Sequence, residues 1–235
     1  MRYYPWLDED EPFPPVESAD RYGVLALGGD LSAPRLLDAY SKGIFPWYDE
    51  DQPIVWHSPD PRFVLFPEDL AVSKSMRQVL TRREFSITFD TAFSEVISAC
   101  AMPRKTGPGT WITPDMKEAY CRLHDEGFAH SAEAWKNGEL AGGLYGVSMG
   151  SIFFGESMFT RQPNASKAAF ITLVQILKEQ GFRLIDSQVY TAHLASLGAV
   201  SIPRKKYIAL LAEALTSPTL RGSWSSLKEN IEKKI

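Results

Sequence analysis

The dipeptide Asn137-Gly138 limits the possible folds of this chain more than any other short segment, because strand patterns lie on both sides of it. Residues 129–136 alternate in polarity, and LAGGLYGVSMG followed by SIFFGESMF is typical of two further strands. Asn-Gly between strands is the strongest short signal for a hairpin, since both residues tolerate the positive φ angles of a tight turn. The sequence therefore predicts an antiparallel meander.

Helical patterns surround this meander. Thr113 can cap a helix that ends at Gly127, and NASKAAFITLVQILKEQGF has the apolar spacing of a core helix that ends at Gly181. A strand, FRLIDSQV, follows, and the last amphipathic helix is predicted near residues 203–215. Helices combined with an antiparallel meander indicate an α+β fold.

A Pro-rich segment, DQPIVWHSPDPR at residues 51–62, has almost no periodicity and predicts a linker. Before it, GGDLSAPRLLDAYSKGIFPWY predicts a turn, a short helix that begins after Ser32 and ends at Gly43, and an aromatic loop. We therefore expect a small N-terminal α/β domain at residues 1–62 and a larger domain at residues 63–235.

Composition excludes several classes of protein. Hydrophobic residues make up 44% of the chain and charged residues 23%, as in ordinary globular proteins. No apolar run approaches the roughly 18 residues that span a bilayer, and the N-terminus is acidic, so we expect a cytoplasmic protein without a membrane segment. The two cysteines, Cys100 and Cys121, lack CxxC spacing and predict free thiols, without a metal site.

The net charge of −4 conceals a basic stretch at residues 74–105, where six basic residues face three acidic ones. Its basic residues are Lys74, Arg77, Arg82, Arg83, Arg104 and Lys105. Such a cluster can bind phosphate groups of a nucleic acid, although a solvated surface has the same composition. Arg77, Arg82 and Arg83 are the candidate tRNA-binding residues.

Five motifs occur in a fixed order: GGDLSxxRLLxAYxxGIFPW, GTWIT, FGESMFxxxxNASKxAF, LIDSQV and HLASLGAxxIPRxxY. Together they resemble the leucyl/phenylalanyl-tRNA–protein transferase family over residues 13 to about 212. The order of elements also resembles the acetyltransferase-like (GNAT-like) fold. The resemblance implies that Leu, Phe or Met is transferred from aminoacyl-tRNA to proteins beginning with Arg or Lys, which marks them for the N-degron pathway. We expect a monomer.

The implied chemistry needs no cofactor, because an aminoacyl ester is already activated. The sequence shows no GxxxxGK[ST] motif and no cluster of metal ligands. Acetyltransferase-like enzymes that use acyl-coenzyme A hold its pyrophosphate on a glycine-rich turn, whereas the corresponding segment here, FTRQPNASK, has no glycine. Coenzyme A binding is therefore disfavoured.

The resemblance implies two sites for the donor. Trp47 and Trp111 are expected to stack on the terminal adenine, although a core position is the alternative for each. The apolar residues expected to line the pocket for the donated side chain, which could equally be core, are Leu144, Phe153, Leu173, Leu177 and Ile185. Leu173 and Leu177 are smaller than the aromatic residues of some relatives, which leaves the donor preference open.

Three polar residues are the candidate catalytic group. Asp186 and Gln188 are two apart in a predicted strand, so we expect their side chains on one face. The resemblance places Glu156 beside Asp186, where two carboxylates would attract a cationic N-terminal residue. We expect Asp186 and Gln188 to orient and deprotonate the acceptor amine and Glu156 to bind its first side chain; paired or solvated acids are the alternative.

Other functions fit parts of the sequence. An acyl-coenzyme A N-acetyltransferase would share the fold, but the turn without glycine opposes it. A non-enzymatic tRNA- or peptide-binding module would keep the basic stretch without needing Asp186, Gln188 and Glu156. A peptidoglycan-bridge aminoacyltransferase also uses charged tRNA, but chains of that family are longer.

Overall fold

The computed structural model of the protein describes residues 4–102 and 111–227. The strands are β1 (Trp6–Leu7), β2 (Val24–Gly28), β3 (Phe45–Pro46), β4 (Val55–His57), β5 (Arg62–Leu65), β6 (Ser86–Phe89), β7 (Ala129–Lys136), β8 (Glu139–Met149), β9 (Ile152–Thr160), β10 (Leu184–Asp186) and β11 (Val200–Ile202). The helices are α1 (Ala33–Ser41), α2 (Lys74–Thr81), α3 (Phe93–Cys100), α4 (Pro114–Asp125), α5 (Ala165–Glu179), α6 (Ala192–Ala195) and α7 (Arg204–Ala214), with short 3₁₀ turns at Val16–Ser18 and Pro67–Asp69.

The larger sheet has the strand order β11-β5-β10-β9-β8-β7-β6. Its neighbours are antiparallel except for β10 and β9, which run parallel. The predicted meander is β7, β8 and β9, and Asn137 and Gly138 form its first turn with φ angles of 54° and 80°. The predicted α+β class with a mostly antiparallel sheet is confirmed.

The smaller sheet, with the order β1-β2-β4-β3, is built from residues before position 58. The interpretation of residues 51–62 as a linker is wrong for part of that segment, because Val55–His57 is the third strand of this sheet. Arg62 begins β5 and already belongs to the larger sheet. Prolines at positions 53, 59 and 61 interrupt the pattern around a strand of only three residues, which hides it from periodicity.

Two hydrophobic clusters lie against the larger sheet. The first joins the small sheet and α1 to one face, with Leu36, Trp56 and Phe154 among its members. The second joins α5 to the other face and includes Phe153 and Phe170. Neighbouring residues of β9 therefore belong to different clusters, as the alternation of side chains in a strand requires. None of the helices in the described residues is long and apolar enough to cross a bilayer.

Candidate active site

Glu156 is the centre of a buried polar cluster on β9. Its carboxylate accepts hydrogen bonds from the hydroxyl groups of Tyr40 (2.7 Å) and Tyr120 (3.1 Å) and from the side-chain amide of Gln188 (2.7 Å). The two tyrosine oxygens are 2.5 Å apart. Helices α1 and α4 each present one of these tyrosines to the sheet, so three separate segments meet at one carboxyl group.

Burial raises the pKa of Glu156 to about 7, and the nearby charge of Asp186 acts in the same direction. The three hydrogen bonds oppose this rise. Burial and the charge of Glu156 also raise the pKa of Tyr40 and of Tyr120, so both hydroxyls stay protonated donors at neutral pH. Glu156 can therefore gain or lose a proton near neutral pH, which suits a general base.

Asp186 is fully buried, and protein donors surround its carboxylate. Its Oδ1 accepts from Nε of Arg62 (2.8 Å) and from the backbone N–H of Gln188 (2.9 Å). Its Oδ2 accepts from Nη2 of Arg62 and from the hydroxyl of Tyr207, both at 2.7 Å. A carboxylate offers about four lone-pair positions, so little capacity remains for a substrate ammonium group. This differs from the sequence-based expectation that Asp186 contacts the acceptor amine.

Gln188 connects the two carboxylates, but not as the strand pattern predicted. Strand β10 ends at Asp186, and Gln188 has a φ angle of 61°, so the two side chains do not share a strand face. The bond from its backbone N–H to Asp186 holds this left-handed conformation, which is uncommon for residues other than glycine. As a result, the Gln188 side chain reaches Glu156.

Sequence reasoning missed four side chains of this cluster: Tyr40, Tyr120, Arg62 and Tyr207. Tyr40 and Tyr207 do lie within the motifs GGDLSxxRLLxAYxxGIFPW and HLASLGAxxIPRxxY, which could have identified them. Tyr120 and Arg62 lie outside every motif. A tyrosine on the apolar face of a helix has the pattern of an ordinary core residue.

The five residues predicted to line the donor pocket belong to one cluster, and each is at most 2% exposed. That cluster lies on the opposite face of the larger sheet from Glu156. Pairing of β10 with β9 ends at Asp186 and Phe154, whereas β9 continues to Thr160. Strand β10 ends at this point, beside Glu156 and Gln188.

The predicted nucleic-acid contacts lie at the surface. Trp47 is 42% exposed, and Trp111 is half-buried against the first hydrophobic cluster. Arg77 on α2 and the two arginines that follow this helix are exposed. Two further basic residues predicted for this patch, Arg104 and Lys105, lie outside the described residues.

Comparison with known protein families places the chain among the aminoacyltransferases. The family described as leucyl/phenylalanyl-tRNA protein transferase matches residues 64–212, and the N-terminal domain of the same family matches residues 29–60. A leucyl/phenylalanyl-tRNA–protein transferase of Myxococcus xanthus is 55% identical over 93% of this chain and 95% of its own length. That of Syntrophus aciditrophicus is 56% identical over 94% and 93%, respectively. The chain belongs to the leucyl/phenylalanyl-tRNA protein transferase family.

The solved structures that match this chain are more distant. The L-PGS structure from Bacillus licheniformis matches with a TM-score of 0.38 and 14% identity over 73% of this chain and 57% of that protein. A GCN5-related N-acetyltransferase from Kribbella flavida matches with a TM-score of 0.35 and 13% identity over 70% and 59%. The chain spans less than two thirds of either protein, and at these TM-scores the likeness carries no argument about function.

Proposed function

We propose that this protein transfers leucine or phenylalanine from aminoacyl-tRNA to the N-terminus of an acceptor protein. Membership of the family supports this reaction, and the buried Glu156 cluster at the end of β10 is the observation that carries it. We further propose that methionine is also a donor, that acceptors begin with Arg or Lys, and that the product enters the N-degron pathway. We also propose that the protein is a monomer and acts in the cytoplasm, where charged tRNA is available.

The reaction is aminolysis of an ester. The α-amine nitrogen attacks the ester carbonyl of the aminoacyl group, a C–N bond forms, and the C–O bond to the tRNA terminal ribose breaks. The freed ribose oxygen takes up the proton that the attacking nitrogen releases as the amide forms, and so becomes a hydroxyl. The α-amine has an ordinary pKa near 7.7 to 8.0, so much of it is protonated at neutral pH and must lose a proton before attack.

The geometry supports Glu156 as the acceptor of this proton. Its Oε2 accepts one hydrogen bond, from Tyr120, and so keeps a lone-pair position for the ammonium group. Its pKa of about 7 is close to that of the amine, which makes the proton transfer nearly balanced. We assign Asp186 the role of holding Gln188, and Gln188 the role of orienting the Glu156 carboxylate.

The donor is proposed to bind where the pairing of β9 with β10 ends. Its side chain would enter the apolar cluster behind the sheet, which is closed in the structure and would have to open. The terminal adenine would stack on Trp47 and Trp111, and the tRNA phosphates would contact Arg77, Arg82 and Arg83. The division into domains at residues 1–62 and 63–235 belongs to the same proposal, with matches to two family domains as its support.

A transfer assay tests this function. The purified protein is mixed with tRNA charged with radiolabelled leucine and with peptides that begin with Arg, Lys or Ala. We expect labelled leucine at the N-terminus of the Arg and Lys peptides and far less on the Ala peptide. Acetylation of a peptide from acetyl-coenzyme A, without transfer from charged tRNA, would show that the chain is an N-acetyltransferase instead.

A further inference from the structure

Arg62, the first residue of β5, is a charged side chain with no exposed surface. Its guanidinium donates two hydrogen bonds to Asp186 and one to the carbonyl oxygen of Gly43 (3.1 Å). It also lies between two aromatic rings, 4.8 Å from the centroid of Phe45 and 4.6 Å from that of Tyr207. Its position is therefore fixed by charge, by hydrogen bonds and by stacking.

Stability alone does not require such a pair. Desolvation of two buried charges offsets most of their attraction, and well-packed apolar residues can replace a buried ion pair without loss of stability. What the pair provides is orientation, because the planar guanidinium binds a carboxylate in one geometry through two parallel hydrogen bonds. The role of Arg62 therefore depends on the groups that Asp186 and Gly43 hold in place.

Two chains of contacts run from Arg62 to Glu156. Through Asp186, Arg62 fixes the backbone of Gln188, whose amide donates to Glu156. Through Gly43, it contacts the end of α1, where the Gly43 N–H donates to the carbonyl oxygen of Tyr40 (3.0 Å). The Tyr40 hydroxyl, like the Gln188 amide, donates a hydrogen bond to Glu156. Arg62 itself makes no hydrogen bond to Glu156.

We propose that Arg62 is a positioning residue for the transfer reaction. It keeps Asp186 a fixed anion and, through Asp186 and Gly43, places the Gln188 amide and the Tyr40 hydroxyl around the Glu156 carboxylate. This inference rests on the proposed function. It assigns Asp186 a purely orienting role, because an aspartate that already binds a guanidinium on both oxygens does not accept the proton of the amine.

The first test is Arg62→Lys, which keeps the positive charge and loses the planar two-point contact. A displacement of about 1 Å in a catalytic constellation costs about 10²-fold in rate, so we expect single-turnover transfer at saturating Arg-peptide to fall by about 10- to 10²-fold. The affinity for charged tRNA and the shape of the pH–rate profile should stay as in the wild type. Tyr207→Phe keeps the ring on Arg62 and removes one donor to Asp186, so its loss should be smaller, within about 10-fold.

The second test is Arg62→Met, which leaves Asp186 facing Tyr207 and Glu156 without a positive partner. It removes both hydrogen bonds from Arg62 to Asp186 and the one to the carbonyl oxygen of Gly43. We expect single-turnover transfer at saturating Arg-peptide to fall further than in Arg62→Lys, with unchanged affinity for charged tRNA. A residue that served only the fold would leave the rate per folded molecule unchanged.

Arg183→Lys is the matched control, since Arg183 pairs with Glu213 at the surface, where its side chain is 60% exposed. Thermal unfolding of each variant gives its folded fraction. If Arg62→Met does not fold, Arg62→Lys and Tyr207→Phe decide the question. A wild-type rate per folded molecule for Arg62→Lys at saturating peptide would overturn the inference. Absence of transfer by the wild-type protein would instead overturn the proposed function, so the two failures are distinguishable.

Discussion

Glu156 affects both the folding stability of the protein and the proposed proton transfer. In the unfolded chain its pKa has the ordinary value of about 4.5, and in the folded protein burial raises this pKa to about 7. Between these two values the folded state binds the proton more tightly than the unfolded state does. Folding stability therefore falls as the pH rises through this window, because ionising a buried carboxyl costs free energy.

Glu156→Gln should remove this pH dependence. Relative to the variant, the free energy of unfolding of the wild-type protein should fall by up to about 3 kcal/mol between pH 4.5 and 7, as a pKa difference of about 2.5 units requires at 1.36 kcal/mol per unit. Urea unfolding at several pH values measures it, with the exposed Glu139→Gln as control. Parallel curves for wild type and Glu156→Gln would show that the carboxyl titrates normally in the folded protein.

The sequence identified the acidic and amide members of the site, and the structure brings Glu156, Asp186 and Gln188 together. It predicted that Asp186 and Gln188 deprotonate the amine, whereas we propose Glu156 for that role. Asp186 interrupts an apolar strand, which indicated that it has a buried partner. The sequence did not show which residue this is, because Arg62 lies 124 positions earlier in the chain. Only tertiary structure reveals that this guanidinium occupies both oxygens of Asp186.

At the level of elements, local signals were sufficient wherever one residue determines a boundary. Thr113 caps α4 through the N–H of Met116, and Gly127 and Gly181 adopt positive φ angles after α4 and α5. Sequence patterns did not predict the elements that are too short to show a periodicity. The small sheet contains two-residue strands, β1 and β3, which pairing with other strands creates rather than local preference.

The prediction on tRNA binding concerns the exposed end of α2. Arg82 and Arg83 follow this helix directly and both are exposed, so neither is needed for core packing. Arg82→Glu combined with Arg83→Glu should flatten the slope of log K against log salt concentration by about one unit for each lost phosphate contact. Filter binding of charged tRNA at several salt concentrations measures the slope.

The charge-matched comparison is Lys205→Glu combined with Lys206→Glu, at two exposed positions of α7. This variant should keep the wild-type slope. An unchanged slope for the α2 variant, together with a flatter slope for the α7 variant, would place the tRNA along α7 and contradict the assignment to α2.

Across the whole molecule, the larger sheet separates the polar cluster from the apolar cluster, and the small sheet with α1 supports the polar side. Tyr40 reaches Glu156 across 116 positions of sequence. The periodicity of a sequence does not predict contacts between residues so far apart in the chain. The polar cluster around Glu156 could therefore be predicted only in part. The central claim is that the acceptor amine loses its proton to Glu156, where the pairing of β9 with β10 ends.

Single-turnover transfer of leucine to an Arg-peptide at saturating peptide concentration tests this claim most directly. If Glu156 accepts the proton, Glu156→Gln should lower the rate by roughly 10² to 10⁴, the usual range for general acid–base catalysis, and more peptide should not restore it. The wild-type rate should fall as the pH drops below about 7, where Glu156 becomes protonated. A wild-type rate for Glu156→Gln at saturating peptide would contradict the claim and leave Glu156 with the capture of the cationic residue alone.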